Sequence, residues 1–285
     1  MKIKYIALLI IVLLLTGCFK DDSMEDIDVI TTIYPIEYIA NRLYGQSSTV
    51  KSIYPKNIDV TAYKLTDKQM RDFSKNDLFI YNGNSFEREY ATELLSYNKN
   101  MKIIDSSYGV DTTYSDYEIW LNPSNMLMMV QNVRNALQQY VTNPYTIEEI
   151  KNQYELLKVD ISALETEFKK TADNSVNKTI ICYDETLNFL QKYGFTVINV
   201  TEKGKNKEVN IDLAKSLLKN KTLSYIFVSE KQGDNALIKD IVSAGATKIN
   251  FYLLETISED KLITSDDYLS IMHENINLIK KETYN

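Results

Sequence analysis

A single apolar stripe constrains this chain more than any other feature. Ile150, Tyr154, Leu157, Ile161, Leu164 and Phe168 recur in alternating steps of four and three, with Lys and Glu filling the positions between them. Such spacing puts all of them on one face of one continuous helix. Asn143-Pro144 precedes the stripe, and Thr146-Ile147-Glu148-Glu149 fits a Thr-x-x-Glu capping box that would open the helix. The pattern holds to Ala172, which predicts a helix about 40 Å long at 1.5 Å per residue. A heptad stripe also suits a coiled-coil dimer. Strand-like runs bracket this one on both sides, however, which points to a backbone helix lying across two lobes of one chain. A rigid helix of that kind limits how far the lobes can swing.

The bracketing runs repeat one scheme. In the first half DVITTIY is β-branched and is followed by IEYIANRLYG, apolar at helical spacing and stopped by Gly45; STVKSIYP, DLFIYNG and MKIID read as further strands. In the second half KTIICY, ETLNFLQKYG, TVINV, SYIFVSE and KINFYLL do the same. Strands alternating with helices imply an α/β protein with parallel sheets. The expected fold is therefore two lobes, 29–125 and 173–285, each a mainly parallel sheet flanked by helices, joined by linking helices over 126–172. Tyr34 to Gly45 and Tyr183 to Gly194 have the same spacing, and each Tyr reads as the end of the first strand of its half. Ligands in open α/β sheets sit beyond the carboxyl ends of strands, so two facing lobes would share a cleft there.

Charge and composition remove several functions. The 32 Lys+Arg against 39 Asp+Glu give a net charge of −7, which repels nucleic acid, and no basic run is interleaved with aromatics. An enzyme is not expected. The chain has 1 His, no Gly-x-Ser-x-Gly elbow and no Gly-rich phosphate loop among its 8 Gly. Glu118 and Glu255 would serve glycoside chemistry only as a pair about 5–9.5 Å apart. Cys182 lies inside the apolar run TIICY and is expected to be a buried small hydrophobe rather than a disulfide partner.

At the start of the chain, Lys2 and Lys4 precede the apolar run Tyr5–Leu15 and then LTGC, ending at Cys18. The run is shorter than the roughly 20 residues of a membrane span but suits a secretory signal. LTGC resembles the bacterial lipobox. That resemblance implies cleavage of a signal peptide at 1–17 and lipidation of Cys18. A polar tether at 18–28 would then hold the protein at the extracellular face of a bacterial cell membrane.

The run DYEIWLNP, 116–123, holds the single Trp of the chain. Glu118 and Trp120 are two residues apart, so an extended backbone would point both side chains the same way. Together with TTIYPIEYIANRLYG, IYPKNIDVTAYKLTDKQ, FSKNDLFIYNGNSFE, the long helix, YDETLNFLQKYGF, SYIFVSE and YLLETISED, this run resembles the solute-binding lipoproteins of zinc- and manganese-type ABC importers. Those are family-9-like periplasmic solute-binding proteins, two-lobed with a rigid linking helix, and the likeness runs from about Val29 to the end. FIYNG-x-x-FE and the WL-x-P turn are its most specific parts. The resemblance implies a monomer that captures a metal ion between its lobes and passes it to an ABC permease.

The site positions implied by the family are substituted here. Thr61 stands where a histidine follows the Pro-rich turn, and Glu118 stands where a second histidine precedes the Trp. Tyr183 occupies the His-or-Glu position and Glu255 matches the carboxylate. Tyr34, Trp120, Asp59 and Asp184 would line the same cleft. Two readings stay open. In one, Glu118, Tyr183, Glu255 and Thr61 bind a cation through hard oxygens, which disfavours Zn²⁺ and favours Mn²⁺, Mg²⁺, Ca²⁺ or, with a tyrosinate, ferric iron. In the other, the site takes a different small ligand in an aromatic pocket of Tyr34, Trp120 and Tyr183, or the protein is an adhesin. Each residue also has a plainer role: Glu118 as a solvated charge, Glu255 as a helix cap, Tyr183 as core, and Asp184 with Glu185 as helix N-terminal charges. His273, on the last helical segment, reads as solvated.

Overall fold

The computed structural model describes residues 24–115, 117–201 and 206–284. Cys18, the signal segment and most of the tether lie outside them. The strands expected from the sequence form in two parallel sheets. β1 (Ile27–Thr31), β2 (Ser48–Ser52), β3 (Leu78–Tyr81) and β4 (Lys102–Asp105) make the first, in the order β2-β1-β3-β4. β5 (Thr179–Cys182), β6 (Thr196–Asn199), β7 (Tyr225–Ser229) and β8 (Thr247–Phe251) make the second, in the order β6-β5-β7-β8. The two orders are the same, so the likeness of the halves extends to topology. β3 is buried along its whole length, as a parallel strand covered on both faces must be, and its sequence LFIY is accordingly an unbroken apolar run.

Helices close both sheets. In chain order they are α1 (Tyr34–Tyr44), α2 (Asp67–Phe73), α3 (Glu87–Tyr97), α4 (Pro123–Tyr140), α5 (Pro144–Asn174), α6 (Lys207–Lys219), α7 (Ala236–Ser243), α8 (Glu259–Ile263) and α9 (Tyr268–Thr283). Tyr34 is the first residue of α1 rather than the last of β1, because Pro35 fixes a helical φ at the start of the helix. The stretch Glu185–Tyr193, read as helical, is a 3-10 helix closed by Gly194 at φ 89°.

α5 is the long linking helix, 31 residues or about 46 Å at 1.5 Å per residue. All six stripe positions from Ile150 to Phe168 are buried. Its start differs from the capping-box expectation. Asn143 is the cap, its side-chain oxygen accepting from the Tyr145 N–H at 2.8 Å, and Pro144 takes the first turn. Thr146 is thereby drawn inside the helix, where its hydroxyl donates to the Glu25 carboxylate at 2.9 Å. Asn caps at least as well as Thr, and Pro next to it settles the register.

Both lobes grip this helix. α1 is tied to it by Arg42–Asp160 at 2.8 Å, and α9 by Lys280–Glu167 at 2.9 Å and His273–Glu167 at 2.6 Å. His273 is thus a hydrogen-bond partner on the helix–helix seam as well as a half-exposed side chain. Phe168 stacks on Tyr193 with ring centroids 5.4 Å apart and meets Phe189 edge-on. One apolar core therefore runs unbroken from β1 through α1, α4 and α5 to Phe251, Tyr268 and Ile279. A second, smaller core of Ile181, Ile198, Ile226, Val228, Ile238 and Ile241 lies on the other face of the second sheet. Alternation along the strands sorts the residues: Ile180 and Cys182 face the main core, and Ile181 faces the small one. Cys182 is free and buried. No helix among the described residues is long and apolar enough to cross a membrane.

Candidate functional site

The site candidates gather at the carboxyl ends of the strands of both sheets. Ile58 to Thr61 follow β2, Glu87 follows β3, and Tyr117 and Glu118 lie in the segment after β4. Tyr183 and Asp184 follow β5, Glu230 and Lys231 follow β7, and Glu255 follows β8. In both lobes the strand order reverses beside the first strand, which is where open α/β sheets leave a crevice.

Trp120 fixes how the lobes meet. The backbone at Glu118 is not extended. Glu118 leads into a 3-10 turn, Ile119–Leu121, in which the Leu121 N–H donates to the Glu118 carbonyl at 3.1 Å. The two side chains therefore do not share a strand face, and Trp120 is fully buried instead of lining the cleft. Its indole N–H donates to the Leu253 carbonyl at 2.7 Å, and its own carbonyl accepts from the Tyr268 hydroxyl at 2.6 Å. Asn122 then caps α4, with Pro123 at its start. The WL-x-P turn is thus a pin joining the lobes, with Glu118 held at its edge.

FIYNG-x-x-FE has an equally local explanation. The Asn82 N–H donates to the Glu87 carboxylate at 2.9 Å, and the Gly83 N–H donates to Asp105 at 3.0 Å. A Cβ on Gly83 would lie 2.0 Å from Asp105, so only glycine permits that approach. Glu87 is completely buried.

Acidic groups dominate the electrostatics. Burial pushes the Glu118 carboxyl up to about 7, the charges of Glu255 and Asp184 push the same way, and the Ser115 hydroxyl, donating at 3.2 Å, opposes them. Burial likewise raises Glu87 to about 7, with Glu255 adding to it, and raises Glu230 to about 7. The Glu255 carboxyl is raised by burial and lowered by Lys231. Tyr117 stands among these groups. Burial and then the charges of Glu87, Glu255, Glu118 and Asp59 hold its phenol protonated, and its buried hydroxyl has no hydrogen-bond partner among the described residues. Carboxylates from both lobes thus feel one another across the cleft.

Glu255 itself is 4 % exposed. Its side chain does not cap α8, where Ser258 has that role. Its backbone carbonyl accepts from the Tyr34 N–H at 2.9 Å, capping α1 of the opposite lobe. Leu254 before it sits at φ 61°, a left-handed conformation that costs a residue with a Cβ about 1–2 kcal/mol. That turn aims Glu255 inward, where its Oε2 accepts from the Lys231 ammonium at 2.9 Å.

The remaining candidates are less convergent. The Tyr183 hydroxyl accepts from the Asn235 amide at 2.6 Å, and its ring packs on the smaller core. Thr61 is exposed, its hydroxyl donating to Asp59 at 2.6 Å, and that bond holds Asp59 below the usual carboxylate range. Asp184 caps the 3-10 helix through the Thr186 N–H at 3.0 Å. Tyr34 lines a neighbouring cleft of about 440 Å³ with Glu37, Tyr54, Lys56 and Thr256. Among the described residues no group of three His, Cys, Asp or Glu stands close enough together to hold a metal ion. Glu87, Tyr117, Glu230 and Lys231 escape the sequence reading. For Glu230 and Lys231 the available signal was a charged pair directly after the buried strand YIFVS.

Comparison with known proteins agrees with this architecture. The family described as ZnuA, zinc-uptake complex component A, periplasmic, matches residues 29–282. Zinc-binding lipoprotein AdcA of Streptococcus pneumoniae is 20% identical over 313 residues, covering 99% of this chain but 61% of that protein. The chain thus spans about three fifths of the length of AdcA. The manganese ABC transporter substrate-binding lipoprotein scaA of Streptococcus gordonii is 24% identical over 309 residues, covering 98% of each. Among solved structures, the metal-dependent lipoprotein YcdH of Bacillus subtilis superposes with a TM-score of 0.77 at 17% identity, covering 91% of this chain and 100% of that one. The Zn(II)-bound ZnuA-like domain of Streptococcus pneumoniae AdcA gives 0.75 at 16% identity, with coverage of 91% and 100%. The chain belongs to the ZnuA family.

Proposed function

We propose that this ZnuA-family chain is the substrate-binding lipoprotein of a metal-ion ABC importer, held by a lipid on Cys18 at the outer face of a bacterial membrane. It captures a cation between its lobes and delivers it, as a monomer, to a permease. One observation carries this reading. Glu118 from one lobe is half-buried and Glu255 from the other is buried, and each is electrostatically sensitive to acidic charge in the shared cleft. Glu255 already pairs with Lys231, so the uncompensated negative charge lies on the Glu118 side of the cleft, where a cation shared by the two carboxylates would relieve it. The relatives' names, which cover zinc and manganese, point to the same class of cargo.

Glu118 and Glu255 supply the charge in this proposal, with the Tyr183 and Thr61 hydroxyls completing an oxygen shell as the lobes tighten. The donors are hard oxygens, without imidazole or thiolate, so Mn²⁺ suits them better than Zn²⁺. Thermal unfolding with a cation panel tests the idea, because a ligand bound only by the folded state raises the midpoint. MnCl₂ is expected to raise the midpoint, and Glu118→Ala to remove most of that rise. No shift with Mn²⁺, Fe³⁺, Zn²⁺ or Ca²⁺, and no effect of Glu118→Ala, would instead favour a surface lipoprotein that binds another ligand or a macromolecular partner.

A further inference from the structure

The geometry points to Lys231 as a tethered counter-cation that holds Glu255 and latches the lobes, so that cargo binds only by displacing it. This inference rests on the capture reading above. The Lys231 Nζ donates to Glu255 Oε2 at 2.9 Å, to the Thr256 hydroxyl at 3.3 Å and to the Ile58 carbonyl at 2.8 Å. An ammonium has three protons to donate, and here each has an acceptor. Glu255 and Thr256 belong to the second lobe. Ile58 belongs to the first and immediately precedes Asp59, in the loop that presents Thr61. The Thr256 hydroxyl reaches the same Ile58 carbonyl at 3.4 Å, so the link between the lobes is double.

This placement is unlike that of an ordinary surface ion pair. The side chains of Lys231 and Glu255 are 20% and 5% exposed, whereas Lys75–Asp72 and Lys151–Glu148 keep both partners more than half exposed. The positive charge sits on the one carboxylate that the second lobe offers to cargo. A lysine on a flexible four-carbon stem can vacate such a position without moving the backbone. Room for that movement lies beside it, in a cleft of about 80 Å³ lined by Asn57, Glu230, Lys231, Tyr252, Thr256 and Lys261. The cost of freeing Glu255 then weakens cargo affinity, as for any protein that must first leave a preferred state. Release is eased by the same device, because Lys231 can retake the carboxylate as the cation departs.

Calorimetric titration of MnCl₂ into the full-length chain in detergent, as wild type and as Lys231→Met, tests this. Met keeps an unbranched stem one atom shorter and removes the charge, and it is expected to tighten Mn²⁺ binding by about tenfold or more, or about 1.4 kcal/mol. Equal or weaker affinity in a folded Lys231→Met variant would overturn the latch and leave cation capture standing. Heat in neither protein would overturn both. A second measurement needs no variant. Acetylation of wild type with mass-spectrometric readout should find Lys231 protected without Mn²⁺ and readily modified with Mn²⁺ at saturation. Protection unchanged by bound Mn²⁺ would overturn the displacement.

Discussion

The two lobes share one strand order but treat their acidic groups differently. In the second lobe Glu255 is paired with Lys231 and Glu230 accepts from the Leu253 N–H at 2.8 Å. In the first lobe Glu118 is held by its own backbone N–H and the Ser115 hydroxyl, and Glu87 by the Asn82 N–H and the Tyr54 hydroxyl, with no ion-pair partner for either among the described residues. The cores differ as well. The first lobe shares its core with the linking helix, while the second keeps a separate apolar cluster on its far face. A duplicated topology thus does not enforce a duplicated site. One half carries a carboxylate paired with a lysine and the other a raised carboxyl with no such partner among the described residues, and a cation between them would join the two.

The pin between the lobes should give the largest effect. Trp120→Ala removes a fully buried indole and its bond to Leu253, and large aromatic truncations in cores cost about 3–5 kcal/mol. A fall of the unfolding midpoint by roughly 10 °C is expected for a chain of this size. A much smaller fall would mean that the lobes are held together elsewhere.

Glu255→Gln and Glu118→Gln break the asymmetry from either side. The first strands Lys231 beside a neutral amide and should destabilise by about 1–3 kcal/mol, less than a fully buried pair because Lys231 is partly exposed. The second removes an unpaired carboxyl and should raise the midpoint at pH 8 while changing nothing at pH 5. Urea unfolding at the two pH values measures both.

The sign follows from the raised carboxyls. Glu87, Glu118 and Glu230 titrate near 7 when folded, against 4.5 for a free glutamic acid. Between those values the folded state holds more protons than the unfolded one. Their stabilising contribution is therefore complete below pH 4.5 and is lost as pH rises through 7. The cation-free midpoint should fall by several degrees from pH 5.5 to pH 8, and a flat profile would contradict the burial of these groups. Mn²⁺ affinity should rise over the same interval, since the cation competes with those protons.

The smallest effect separates the two equivalent glycines. Gly194 sits at φ 89° with open space around it, so Gly194→Ala should cost about 1 kcal/mol through backbone strain alone. Gly45 has an ordinary φ of −63°, but a Cβ there would lie 2.6 Å from the Asn41 carbonyl. Asn, which tolerates the left-handed region, should rescue position 194 and not position 45.

Much of this architecture was legible in the residues. LFIY and YIFVS announce themselves because a parallel strand buried on both faces has no polar side to hide its pattern. The stripe from Ile150 to Phe168 survives because a helix gripped by two lobes must bury one whole face. The start of the linking helix is ambiguous in sequence because Thr146-x-x-Glu149 and Asn143-Pro144 both open helices, and the Asn-Pro pair takes the cap. The site was half legible. Glu118 and Glu255 follow strand ends, whereas Lys231 matters only because Ile58, 173 residues away, offers it a carbonyl. Tyr117 lies next to Glu118 in sequence, but nothing there shows that its hydroxyl would be buried among acidic groups, with no partner among the described residues.

Anomalous diffraction from crystals of the protein grown with MnCl₂ tests cation capture most directly. The account predicts a single strong manganese peak between the lobes, within coordination distance of both Glu118 and Glu255, with the Lys231 ammonium withdrawn from Glu255. A map with no peak in the cleft, or a peak bound by neither carboxylate, would contradict it.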